Sequence, residues 1–166
     1  GAHIEDTGTI IRFFPMIMAA LYFAKKSQLN LIIPIIAIVA FIAHPIGRTV
    51  WYFSLFWTIP IIAYFFRDRL LLVRALGATF SAHAVGGALW IWTFSLPASV
   101  WNSLIPVVII ERLLFTLGIA GSFLLVNNLL CLAEKKHILN LGFCFNQKYL
   151  IYPLRNYYEA KTKTIA

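Results

Sequence analysis

Two charged residues, Glu111 and Arg112, lie side by side within a long apolar stretch of this 166-residue chain. A charge at bilayer depth costs about 2.5–3.5 kcal/mol on insertion scales, so a charge retained there needs a partner or a function. Neighbouring side chains on a helix point about 100° apart, so we expect Glu111 and Arg112 to pair with different helices. Two roles stay open: fixing helix packing, or presenting Glu111 to a ligand with Arg112 as its orienting partner.

His83 lies near the middle of another apolar stretch, in a segment dominated by small residues. Small residues recur there at every fourth position: Ala78, Ala82 and Gly86. This pattern lets two helix backbones approach closely in lipid, so His83 either hydrogen-bonds across that interface or faces a cavity beside it. His44 is the other histidine at membrane depth, and two separated histidines are too few for a metal site. We therefore expect neither a metal nor another cofactor.

The tryptophans, with Tyr52, gather near one end of the apolar stretches, at Trp51, Trp90, Trp92 and Trp101, and Trp57 is the one tryptophan that lies mid-stretch. An interfacial aromatic belt is one explanation. The second is an outward-facing, aromatic-lined pocket with a few convergent polar groups, as small-molecule sites are usually built. The residues that we expect to bind a ligand in such a pocket are His83, Trp90, Trp101, Asn102, Glu111 and Arg48.

Composition decides the class of protein to which these residues belong. Hydrophobic residues make up 61% of the chain and charged residues 12%, with a mean hydropathy of +0.82. Soluble domains carry about 45–50% apolar and about 25% charged residues, and a small soluble globule buries only about 70% of the surface of its unfolded chain. This composition predicts an integral membrane protein and excludes a disulfide scaffold, a disordered tail and a water-soluble enzyme.

Five apolar stretches are long enough, or nearly so, to cross about 30 Å of hydrocarbon as helices. They predict an all-α, polytopic bundle with five visible transmembrane helices, in a transmembrane domain of residues 1–136. Residues 137–166 read as a basic and aromatic cytoplasmic tail. The stretches are 9–24, 29–44, 49–66, 70–94 and 102–132.

Basic residues indicate how these helices are oriented. One side of the predicted membrane collects Lys25, Lys26, Arg67, Arg69, Arg74, Lys135 and Lys136. Cytoplasmic loops carry an excess of Lys and Arg, so this side is expected to be cytoplasmic, with residue 1 outside, in a bacterial-type plasma membrane. The net charge of +8 is therefore assigned to the membrane surface and not to nucleic acid. A missing upstream helix would restore six spans with both ends inside.

Ala20 and Ala24 form an AxxxA step just before Lys25, where a partner helix could dock. With this step, the short loops and the outward aromatic pocket, residues 9–132 resemble the S component of energy-coupling factor (ECF) vitamin transporters. The resemblance implies a vitamin or related micronutrient as the solute. It also implies a transmembrane coupling protein, docked at Ala20 and Ala24 and driven by ATPases. The first helix starts inside in that family but outside here, so either a helix is missing upstream or the chain does not share the family's topology.

Other functional classes make different use of the same residues. An accessory or structural subunit of a larger membrane complex would use Glu111, Arg112 and His83 for packing and the basic tail for partner contact. An intramembrane enzyme is not expected, because the HExxH, GxSxG and GxGxxG patterns are absent from the sequence. Cys131 and Cys144 fit neither a metal site nor a disulfide framework and read as free thiols.

Overall fold

The computed structural model describes residues 2–136, 146–152 and 154–156. In these ranges the chain forms helices and no strand, which confirms the all-α prediction. The helices are α1 Ala2–Ala24, α2 Leu29–Ala43, α3 Pro45–Thr49, a 3₁₀ helix Trp51–Thr58, α4 Ile59–Phe66, α5 Leu71–Phe94, α6 Ala98–Lys135 and a short 3₁₀ helix Gln147–Tyr149. The first, second, fourth and fifth predicted stretches each correspond to one helix. Helix α1 begins seven residues before the expected start, and α6 is longer than expected at both ends.

The third apolar stretch was expected to be a single helix, and this expectation is wrong. Residues 45–66 instead form α3, the 3₁₀ helix and α4 in succession. Val50 has a non-helical backbone between the first two elements (φ −120°, ψ 33°). The hydroxyls of Ser54 and Thr58 each donate to the carbonyl three residues earlier. Pro60 lies in the first turn of α4, where its missing N–H breaks no helical hydrogen bond.

Helix α5 is the centre of the first compact unit, Gly1–Leu117, and it packs most extensively against α1. A Cβ atom added to Gly77 would overlap the Tyr22 ring, and one added to Gly86 would lie 3.4 Å from Pro15 Cγ. Residue numbers therefore fall along α1 as they rise along α5, so the two helices are antiparallel. The close contact expected from the small-residue segment is present, with Gly77 as an unpredicted contact point.

Two arginines bind the C-terminal end of α1. Arg67, which is 1% exposed, donates from Nη1 to the carbonyl of Lys25 and from Nη2 to that of Phe23, both at 3.2 Å. Arg74 donates to the carbonyls of Phe23 and Ala24. Burial lowers the pKa of Arg67, and the positive charge of Arg74 acts in the same direction. Lys26 pairs with Asp68 at 3.2 Å, so several residues of the predicted basic side do lie together.

The second compact unit, Gly118–Ala166, includes the C-terminal half of α6. Two adjacent amides on this helix, Asn127 and Asn128, bind the segment 146–151 through its backbone. Asn127 exchanges hydrogen bonds with Asn146, and Asn128 accepts from Ile151 N at 2.8 Å while donating to the carbonyl of Tyr149 at 3.0 Å. Cys131 is a buried free thiol that packs with Leu150 and Leu154, whereas Cys144 lies outside the described residues.

The outer faces of the helices are apolar. Large exposed side chains include Ile36 and Val39 on α2, and Ile110 and Leu114 on α6. Judged by length and composition, α6 is the one helix in the described ranges that is suited to crossing a membrane. Apolar helical segments of 10–17 residues also occur at Phe13–Ala24, Leu29–Ala43 and Trp51–Phe66.

The contact between Gly77 and Tyr22 gives a test of the α1–α5 packing. Gly77→Ala should lower the free energy of unfolding by about 1–3 kcal/mol, because the added methyl overpacks the interface. Gly118→Ala is the matched control, since nothing lies within 4 Å of its added Cβ, and it should stabilise by about 0.5–1 kcal/mol through helix propensity. Thermal and denaturant unfolding in detergent measure both changes, and equal effects of the two substitutions would contradict this packing.

Candidate functional site

A groove of about 820 Å³ lies within the first compact unit and brings together four of the six predicted ligand residues, His83, Trp90, Trp101 and Glu111. Its walls come from α1, the 3₁₀ helix, α5 and the first half of α6. Small residues of α5 at Ala82, Gly86 and Gly87 leave the space open on one side. We call this cavity the α5–α6 groove. Its remaining lining residues are Pro15, Met16, Phe53, Leu96, Val100, Leu104, Val108, Arg112 and Phe115.

His83 lines this groove and lies among aromatic rings. Its Nδ1 accepts a hydrogen bond from Trp57 Nε1 at 3.5 Å. An accepting Nδ1 places the proton of the neutral imidazole on Nε2, which is then a donor. The rings of Phe53, Phe56 and Phe80 have centroids 5.5–6.5 Å from that of His83. His83 therefore offers one hydrogen-bond donor within aromatic surroundings.

Glu111 and Arg112 form an ion pair with each other, with 2.7 Å between Arg112 Nη2 and Glu111 Oε2. The expectation that neighbours on a helix would pair with different helices is therefore wrong for Glu111, because the long arginine side chain bends back across the angle between them. For Arg112 it is partly right, since Nη1 also donates to Thr79 Oγ1 on α5 at 3.4 Å. Arg112 Nε is buried and has no hydrogen-bond partner within the described part of the chain.

The pair is asymmetric in exposure. The Glu111 side chain is 47% exposed and that of Arg112 is 16% exposed. The guanidinium also lies over the Phe115 ring, 4.9 Å from its centroid, a favourable cation–π arrangement. Glu111 is thus the accessible acceptor of the groove, held in place by a better-buried arginine.

The two tryptophans of the groove differ in burial. Trp101 is 3% exposed, donates from Nε1 to the carbonyl of Leu96 at 3.2 Å, and packs edge-to-face against Phe41 and Phe53. Trp90 is half-buried and lies beside Phe94. Trp101 therefore belongs to the core and forms one wall of the groove, whereas Trp90 is more accessible.

Two predicted ligand residues do not line the groove. Asn102 is exposed and accepts a hydrogen bond from the Tyr52 hydroxyl. Arg48 is exposed in the last turn of α3. Both were predicted because they lie near the same end of the apolar stretches as the tryptophans, Arg48 shortly before Trp51 and Asn102 directly after Trp101, but neither lines the groove. Ala20 and Ala24, the predicted docking residues, are exposed on α1.

Several residues of the site were not anticipated from the sequence. Thr79 and Phe53 have residue types that are ordinary in apolar helices, so no signal distinguished them. Trp57 did have a signal, as the tryptophan that lies mid-stretch, but its role as the partner of His83 required the three-dimensional arrangement. Gly87 leaves room for the Trp57 ring that contacts His83, since a Cβ atom at Gly87 would lie 2.5 Å from that ring.

Comparisons with known protein families, curated proteins and solved structures give no match to this chain. In residues 2–136, 146–152 and 154–156, no three His, Cys, Asp or Glu side chains gather as a metal-binding set. The residues of the α5–α6 groove offer aromatic stacking, one imidazole donor and one ion pair.

The difference in burial between tryptophans predicts different effects of their removal. Trp101→Ala should lower the free energy of unfolding by about 3–5 kcal/mol, because it leaves a cavity in the core. Trp51→Ala should change it by only about 0.5 kcal/mol, since Trp51 is 53% exposed. Chemical denaturation in detergent, followed by far-ultraviolet circular dichroism, measures both values. A loss of stability in Trp101→Ala as small as that expected for Trp51→Ala would show that Trp101 lies outside the core.

Proposed function

We propose that this chain is a polytopic membrane protein that binds a small, vitamin-like solute in the α5–α6 groove. The observation that carries the proposal is the convergence of His83, Trp90, Trp101 and Glu111 on that groove. These residues were selected from the sequence as aromatic or polar residues of the apolar stretches, and they come from two different helices. Ligand sites are usually apolar cavities with a few placed polar groups, which is the composition of this groove.

Placement in a membrane is supported by the apolar outer faces of α2 and α6 and by the hydropathy of α6. Contiguous apolar surface is rare on soluble monomers and is expected where lipid is the solvent. Helices shorter than about 20 residues cross a bilayer where it thins or where flanking residues snorkel. The proposed orientation puts the basic end, with Lys26, Arg67 and Arg74, in the cytoplasm and residue 1 outside, in a bacterial-type plasma membrane.

The groove favours a solute with an aromatic or conjugated ring and both donors and acceptors. Trp90 offers accessible ring surface, Trp101 forms a buried wall, Nε2 of His83 is a donor and Glu111 is an acceptor. This chemistry suits a micronutrient of the kind bound by the ECF S components that the sequence resembles. In the same proposal, the exposed Ala20 and Ala24 on α1 receive a transmembrane coupling protein driven by ATPases.

A second function, as a non-catalytic accessory subunit, is favoured by one specific observation. Glu111, Arg112 and Thr79 are linked by an ion pair and a hydrogen bond, and these two contacts form without a ligand. In that function the pair fixes α6 against α5, and the apolar faces of the helices bind neighbouring subunits. The two functions differ in whether any small molecule stabilises the isolated chain.

A thermal-shift screen of the detergent-purified chain against vitamins and related micronutrients separates these functions. A solute bound by the folded state alone adds roughly 4 kcal/mol of stability at a thousandfold excess over Kd, which is a large shift in the unfolding midpoint. We expect one compound or one chemical class to give such a shift. A well-folded protein that no compound stabilises would favour the accessory subunit.

Glu111→Gln tests the site itself. Loss of the carboxylate should weaken binding of the solute found in the screen at least tenfold, since a hydrogen bond to a charged group contributes about 1.5–3 kcal/mol. It should lower the stability of the unliganded protein by no more than about 1 kcal/mol, because the ion pair is partly exposed. Isothermal titration calorimetry and thermal unfolding measure the two effects.

Glu134→Gln is the matched control, because it makes the same change on the same helix at a residue that does not line the groove. It should leave binding unchanged. If Glu111→Gln instead lowers stability by several kcal/mol and leaves affinity as it was, the ion pair serves packing and the solute site is wrongly placed.

A further inference from the structure

A second cavity, of about 260 Å³, lies between α1, α2 and α5 and shares no residue with the α5–α6 groove. Its apolar wall is formed by Met18, Leu21, Leu29 and Ile33, and its rim by Lys25 and Ser27. We call it the α1–α2 cavity. It lies at the end of the bundle where Arg67 and Arg74 bind the last carbonyls of α1.

Ser81 of α5 lines this cavity and is unusual for a buried hydroxyl. It is 2% exposed, and its Oγ has no hydrogen-bond partner in the described part of the chain. Ser54 is equally buried, but its hydroxyl donates to the carbonyl of Trp51 at 2.7 Å. A buried polar group without a partner is destabilising, so an acceptor atom bound in the cavity would satisfy Ser81.

The rim of the cavity favours an anion. The Lys25 side chain is exposed there, and α2 begins at Leu29 with an N-cap residue, Gln28, that makes no side-chain capping bond. The N–H groups of Asn30 and Leu31 already donate to the carbonyls of Ser27 and Gln28, so the attraction for negative charge comes from the Lys25 ammonium and the positive end of the α2 dipole. Asn30 binds Lys25 O and Ser27 Oγ, so it shapes the rim and is itself satisfied.

The distance between rim and hydroxyl matches a particular kind of ligand. Ser81 lies about two helical turns, or about 10 Å, beyond Arg74 along α5, and Arg74 is bound at the level of Ala24. An occupant thus meets positive charge at the rim, a hydroxyl donor about 10 Å inside and apolar walls between them. Leu21 and Leu29 are half exposed, so these walls continue onto the outer faces of α1 and α2.

We propose that the α1–α2 cavity binds one anionic phospholipid. The phosphate lies at Lys25 and the first turn of α2, a glycerol-ester carbonyl accepts from Ser81 Oγ, and an acyl chain follows Met18, Leu21 and Ile33 out of the cavity. This site rests on the proposed placement of the bundle in a membrane, with its basic end toward the leaflet that carries anionic lipids. It does not depend on the solute site in the groove.

Lys25→Gln and Lys26→Gln test the headgroup contact as a matched pair. Both remove one positive charge at the same end of the bundle, but Lys25 lines the cavity whereas Lys26 pairs with Asp68. Native mass spectrometry of the detergent-purified chain titrated with dioleoylphosphatidylglycerol should show affinity reduced about fivefold for Lys25→Gln and changed less than twofold for Lys26→Gln. Equal weakening by both substitutions would mean diffuse attraction of the lipid and would overturn the site.

Ser81→Ala tests the deeper contact. Because this hydroxyl has no partner among the described residues, the variant should be at least as stable as the unsubstituted protein when lipid is absent. The unsubstituted protein should bind the ester-linked lipid more tightly than its diether analogue, which lacks the carbonyl, and Ser81→Ala should bind the two equally. Ser54→Ala, which loses a hydrogen bond, should be less stable but should keep the preference for the ester. Absence of any such preference in the unsubstituted protein would overturn the contact.

Two further experiments identify what occupies the cavity and distinguish the lipid proposal from the solute proposal. Inorganic phosphate at millimolar concentration should not raise the unfolding midpoint, and stabilisation equal to that by the phospholipid would identify a soluble anion and overturn the lipid site. If the lipid results hold while no solute binds the groove, the solute proposal alone fails. If the chain stays monodisperse without detergent, the membrane placement fails and the lipid site fails with it.

Discussion

The C-terminal carbonyls of α1 are the point on which the packing of the first compact unit depends. The last carbonyls of a helix lack intrahelical partners and carry the negative end of its dipole. Here Arg67 and Arg74 donate to the carbonyls of Phe23, Ala24 and Lys25. These bonds hold the turn between α4 and α5 against the end of α1. A guanidinium suits this role because its donors are spread over a rigid plane and can reach several acceptors.

This contact sets the register of α5 against α1, and the register in turn opens the groove. With the start of α5 fixed at Phe23, Gly77 faces the Tyr22 ring and Gly86 faces Pro15. Tyr22 donates to the carbonyl of Pro60 at 2.8 Å, so α4 is tied to the same point. Farther along α5, small residues occupy the side toward α6 and leave the space that His83 lines. Small residues leave an open groove only where the surrounding helices are held in place and cannot close on it. The register of α5 against α1 holds them in place.

Much of the helical framework follows from hydropathy, and the exceptions have physical causes. Helix α1 ends at Ala24 and α5 begins at Leu71 because charged residues interrupt the apolar stretches there. The break after Val50 was not predictable, because hydropathy does not report the serine and threonine hydroxyls that bind nearby carbonyls in the 3₁₀ helix. Hydropathy likewise does not show Asn127 and Asn128 binding the backbone of a later segment.

The site was predictable only as a set of unusual residues. His83 and Glu111 could be selected because polar side chains are costly in apolar stretches, whereas Thr79 looks ordinary in the same place. The ion pair between Arg112 and Glu111 depends on the conformation of the arginine side chain, which spacing along a helix does not determine. In the proposed solute site, that ion pair also bears on which ligands the groove would accept. Because the two charges neutralise each other, an ionic solute has to compete with the pair, while a neutral ring compound can stack on Trp90 without disturbing it. Under the proposed function, shape and stacking therefore weigh more than net charge in the choice of solute.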